Sequence, residues 1–161
     1  MATKDELIHG VELLIREGGR LAADIRPEQW ENIVDLDGWK SKEVLAHVAS
    51  VGGLVQPMVS GMASAEPGAD AMAALNLDQL NAAMVGQRAG KTTEELVAEL
   101  ETAYKGVIEF IRTAPDDMLA KTATANGYVD VPVSDLMNRM VVMHGLAHIY
   151  SVYSSVFNSK P

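Results

Sequence analysis

The sequence predicts an all-α fold, a four-helix bundle with a long crossover after helix two and an additional short helix. Three observations carry that reading. Apolar residues recur at three- and four-residue spacing through four long stretches, the period of a helix with one buried face. Three helices open on a capping box, in which a hydroxyl or amide residue precedes Glu or Gln by three positions: Thr3 with Glu6, Asn76 with Gln79, and Thr92 with Glu95. Only residues 122–133 depart from the helical pattern, and 161 residues make one ordinary domain, 1–161.

Taken in order, Thr3 caps a first helix from Lys4 to Ala23, with Leu7, Val11, Leu14, Gly18 and Leu21 inward and Asp5, Glu12, Arg16 and Arg20 outward. Gly18-Gly19 reads as a soft point in it. Pro27 opens a short helical turn, where its missing N–H costs nothing. Asp35 to Trp39 is a tight connection, and Ser41 caps a second helix from Lys42 to Met62 with Val44, Val51, Leu54 and Met58 on one stripe. Ser60 to Asp70 reads as loop, long enough to run back along the bundle as the crossover. Asn76 opens the short helix, which continues to Arg88 before Gly90. Thr92 opens the next, to Thr113, with Leu96, Leu100, Val107, Phe110 and Ile111 on its apolar face. Pro115 breaks the chain, Gly127 to Pro132 can pair briefly as edge strand, and Ser134 caps a last helix to Phe157.

Composition narrows the function. Hydrophobic residues at 48% and charged residues at 22% exclude a disordered or coiled-coil chain. A chain of this size buries roughly 70% of its unfolded surface, so a metal is not needed merely to fold it. The net charge of -9 makes nucleic acid a poor partner. With no cysteine, there is no disulfide, no thiolate ligand and no cysteine nucleophile, so any thiol must arrive with a ligand. Acidic residues stand where a signal peptide would be basic, and the most apolar stretch, Val141 to Phe157, is short for a bilayer. A soluble, cytoplasmic protein with no membrane contact is expected.

The four histidines hold the chemistry. His9 falls on the solvated side of helix one and has no role. His144 and His148 are four apart, on one face of the last helix with Met137, Met140, Val141 and Ser151, and can chelate one ion. His47 lies within the inward stripe of helix two. Alone, it reads as a core imidazole bonded to a carbonyl or hydroxyl. Three inward imidazoles together offer three neutral ligands and leave a coordination position open, the pattern of a catalytic site. Imidazole suits zinc, nickel, iron and copper, with zinc or nickel foremost. Asn81 and Arg88, seven apart on the short helix, are candidate substrate-binding residues, Arg88 for a carboxylate; a solvated face is the alternative. A second stripe on the last helix, Val142, Leu146, Ile149 and Tyr153, must be covered by neighbouring helices or by a second copy.

Gly38-Trp39-x-x-x-Glu43-Val44-Leu45-Ala46-His47-Val48, followed by His144-x-x-x-His148, resembles the DinB-like superfamily, nearest to the metal-binding domain of mycothiol-dependent maleylpyruvate isomerase. The resemblance implies a four-helix bundle, a divalent metal on His47, His144 and His148, and a homodimer. It also implies a low-molecular-weight thiol as cosubstrate, with S-transfer or isomerisation of an electrophile as the reaction. The isomerase itself carries a further C-terminal domain beyond the region that corresponds to this sequence. Two other readings stand beside the enzyme: a non-catalytic metal-dependent ligand-binding or stress protein, and a structural bundle with core histidines.

Overall fold

A computed structural model of the protein describes residues 1–34 and 38–157. Most of the tight connection expected over Asp35 to Trp39 lies outside the described residues. The fold is all-α with one small hairpin. Helix α1 (Lys4–Asp24) opens on the Thr3–Glu6 capping box and runs unbroken through Gly18-Gly19. Gly18 is not a soft point: a Cβ there would stand 3.0 Å from Leu100 Cδ1, so the missing side chain lets two helices approach closely. A 3₁₀ turn follows at Pro27–Glu31.

The second expected helix is two helices, α2 (Ser41–Gly52) and α3 (Val55–Ser64), bent by 52°. The reason is local. The N–H of Leu54 turns back to the Val51 carbonyl at 2.9 Å, and Pro57 lacks the N–H that a continuous helix would aim at Gly53. Ser41 does not cap α2; the cap is Lys40, whose N–H donates to the Glu43 carboxylate at 2.8 Å, while the Ser41 hydroxyl donates to the Asn32 carbonyl at 3.3 Å. Residues 60–64, expected as loop, complete α3.

Helix α4 (Leu77–Gly86) is capped by Asn76, and α5 (Thr93–Thr113) by the Thr92–Glu95 box. After α6 (Asp116–Ala120), strands β1 (Thr122–Ala125) and β2 (Tyr128–Pro132) pair antiparallel, with Ala125 opposite Tyr128. Asn126 and Gly127 both have positive φ, 50° and 82°, as a two-residue type I′ turn demands. The last helix begins as α7 (Val133–Met137), loosens into a π-helical turn over Asn138–Met143, and continues as α8 (His144–Phe157). Ser134 lies inside α7 rather than at its cap, and its buried hydroxyl finds no partner.

Helix α1 packs on α5 and α8, and α2 packs on the same two helices and on α4. Leu7, Leu14, Leu45, Leu100, Tyr104 and Ile149 meet in the core between them. The stripe carrying Val142 and Ile149 is covered from within the chain: Gly10 of α1 lies so close that a Cβ would stand 2.6 Å from Val142 Cγ1. Joined end to end, α7, the π turn and α8 form one 25-residue helix, long and apolar enough to cross a membrane by length and composition, contrary to the expectation from its last part alone. In the fold it lies along α1 and α2, with 33% of its most apolar window buried.

Candidate metal centre

Two helices bring three imidazoles together. His47 sits in the middle of α2, 2% exposed, where helix period puts it on the face toward α8. His144 is the first residue of α8 after the π turn, and His148 follows one turn later. The His47 and His144 Nε2 atoms stand 3.1 Å apart. Ring centroids are separated by 5.4 Å (His47–His144), 4.9 Å (His47–His148) and 4.5 Å (His144–His148). One nitrogen from each ring lies within 4.8 Å of the others, so this group could hold a metal ion.

The electrostatics suit that use. Burial pushes the His47 pKa down to about 3, helped by His148 and then His144, and burial followed by His148 pushes His144 down to about 4. Both rings are therefore neutral at neutral pH, with lone pairs free to coordinate. Two neutral rings edge to edge gain little alone, and among the described residues the buried His47 Nδ1 has no hydrogen-bond partner, a cost of roughly 1–3 kcal/mol for a buried donor. A cation among the three rings takes up the lone pairs that face one another, so the residues fit a divalent ion. The Trp39 ring closes the far side of His47, edge-on at 5.2 Å between centroids. Trp39 reaches His47 from beside the antiparallel Ile33–Lys40 bridge that precedes α2.

His47 and His144 also line a pocket of about 460 Å³. Its walls come from α2 and α3 (Val51, Leu54, Met58), the following loop (Met72, Leu75), α4 (Leu80, Asn81, Met84), the hairpin (Asn126, Tyr128) and the π turn (Arg139, Met140). The expected inward stripe Val51, Leu54 and Met58 thus faces this pocket instead of a sealed core. His144 is exposed at the pocket, while His148 is half-buried and lies outside its lining.

Asn81 is in the pocket and Arg88 is not. Helix α4 ends at Gly86, so the seven-residue spacing does not carry Arg88 to the Asn81 face. Its Nε and Nη2 donate to Glu99 Oε1 at 2.9 and 2.6 Å, and its Nη1 donates to the Met84 carbonyl at 2.8 Å. Arg88 borders a separate groove, with Trp39, Glu43 and Ala46. Asn126 and Tyr128 escaped sequence reasoning because only the docking of the hairpin against the loop, through Ala71 N–H to the Thr124 carbonyl at 2.9 Å, brings them here, and Arg139 escaped it because it reaches the pocket from the π turn.

No curated protein matches the sequence. Among solved structures, that of a mutant of mycothiol-dependent maleylpyruvate isomerase shares this fold, with a TM-score of 0.64 at 15% identity over 91% of this chain. The chain spans 62% of that protein's length. The model of the mycothiol maleylpyruvate isomerase N-terminal domain matches residues 11–148, a span that takes in His47, His144 and His148. With most of its length matched, the chain belongs to the mycothiol maleylpyruvate isomerase N-terminal domain family.

Proposed function

We propose that the protein is a cytoplasmic, divalent-metal-dependent enzyme, holding zinc or nickel on His47, His144 and His148 and carrying out thiol-dependent S-transfer or isomerisation of an electrophile. The observation that supports this most is the meeting of three imidazoles beside an apolar pocket. Family membership supports mycothiol, or another low-molecular-weight thiol, as cosubstrate, and the absence of cysteine requires the thiol to come from outside the chain.

When bound, a divalent ion would supply Lewis acidity, lowering the pKa of a thiol or water in its open position. The chain does the rest. His47 and His144 are neutral before the ion arrives, so no proton need leave them. Apolar walls exclude water. Asn81 offers an amide to the polar groups of thiol or substrate. Arg88, through Glu99, ties the end of α4 to α5 and so positions the Asn81 helix.

Protein purified without a histidine tag should carry about one metal ion per chain by elemental analysis, and His144→Ala should lose it. Metal-loaded protein, offered a panel of low-molecular-weight thiols and electrophiles, should form adducts faster than metal-free protein. One observation favours a second reading, a non-catalytic metal-dependent ligand-binding or stress protein: no Asp, Glu, Lys or Ser lines the pocket to move a proton. Stoichiometric metal with no acceleration anywhere in the panel selects that reading. A homodimer, if formed, would use exposed Met143, Tyr150 and Phe157, one per seven residues along α8, and light scattering on the eluted protein reads its mass.

A further inference from the structure

We infer that Arg139 is the anion-recognition residue of the pocket, and that its ligand is an amphipathic organic acid with one carboxylate on Arg139 and an apolar body along Met58, Leu80 and Met84. This rests on the pocket being the substrate site and adds the substrate class. Among the described residues, Arg139 is the only charged side chain on a lining that is otherwise aliphatic, thioether, amide, phenol and imidazole. Acids outnumber bases by 22 to 13 in the chain, yet among the described residues Arg139 forms no ion pair. Instead its guanidinium lies over the Tyr128 ring, 5.3 Å from the centroid, a contact that uses the face of the cation and not its N–H donors, which a carboxylate can take.

The π turn is what brings the cation to this site. In a regular α-helix, residues five apart point about 140° away from each other. Arg139 and His144 are five apart, but the π turn over Asn138–Met143 stretches the repeat toward five residues, and both side chains line the same cavity. One ligand can therefore touch both. The Arg139 guanidinium offers a place for one carboxylate, and the aliphatic walls reward an apolar chain.

The probe is octanoate, compared with octanol and acetate by isothermal titration calorimetry on metal-loaded and on metal-free protein, wild type and Arg139→Gln. Arg139 is exposed, so its replacement leaves the core intact. The expected result is octanoate bound about tenfold or more tighter than octanol, and tighter than acetate, with or without metal. Arg139→Gln should abolish the preference for octanoate over octanol and leave octanol binding as it was. Arg139→Lys should retain part of it. The inference is overturned if wild type binds octanoate no better than octanol or acetate, if it binds none of the three, or if the preference survives in Arg139→Gln. A preference that survives Arg139→Gln but disappears on metal removal assigns the carboxylate to the metal, overturning Arg139 while the metal-enzyme reading stands. Protein that holds no metal overturns the metal-enzyme reading, while the metal-free titrations still decide Arg139.

Discussion

At His47, one side chain joins burial, charge and ligand chemistry. It is enclosed by its own helix, by Trp39 and by the other two imidazoles, and its pKa falls from an ordinary 6.5 to about 3. Between those values the unfolded chain holds a proton that the folded chain does not, so metal-free protein should lose stability as pH drops from about 6.5 toward 4. Melting temperatures across that range test this: the wild type should fall steeply and His47→Gln should fall less, and parallel curves would contradict it. The three histidines were legible from their positions because helical period alone states which face each one takes. Arg139 was not, because its direction depends on a π turn that no local pattern in Asn138–Met143 announces.

Among the elements, glycine placement separates packing from propensity. Gly52, at the end of α2, meets Ala103 and Tyr104, and a Cβ there would stand 2.8 Å from Ala103 Cβ. Gly106, within α5, has open space around it. Gly52→Ala should therefore destabilise by about 1–3 kcal/mol through overpacking, while Gly106→Ala should stabilise by about 0.5–1 kcal/mol, read as denaturation midpoints. Equal effects at the two sites would argue against the close α2–α5 approach. The α4–α5 tie makes a second prediction. Arg88 and Glu99 are mostly covered, at 17% and 22% side-chain exposure, so Arg88→Ala should loosen α4 and speed amide exchange over Leu77–Gly86. A variant that lost ligand binding with unchanged exchange would return Arg88 to a direct substrate role. Capping boxes at α1 and α5 were readable from four residues each, whereas the α2–α3 bend was hidden because Gly52-Gly53 and Pro57 also occur in continuous helices.

For the whole molecule, the three-histidine cluster joins α2 to α8. An ion that binds only the folded state adds about 2.7 kcal/mol at a concentration one hundred times its dissociation constant. Zinc or nickel should thus raise the melting temperature by several degrees, a chelator should reverse the rise, and His144→Ala should show neither. The same rise in His144→Ala would place the ion elsewhere.

Periodicity, caps and composition by themselves determined the helical class, the starts of α1, α4 and α5, the apolar faces of α1 and α5 and the shared face of His144 and His148, because these follow from interactions within a few residues. Tertiary structure alone decided that α2 bends, that α1 covers the second stripe of α8, that Arg88 is held outside the pocket, and that Asn126, Tyr128 and Arg139 stand inside it. Those outcomes depend on residues far apart in the chain competing for the same space, and a local pattern carries no record of which of them wins.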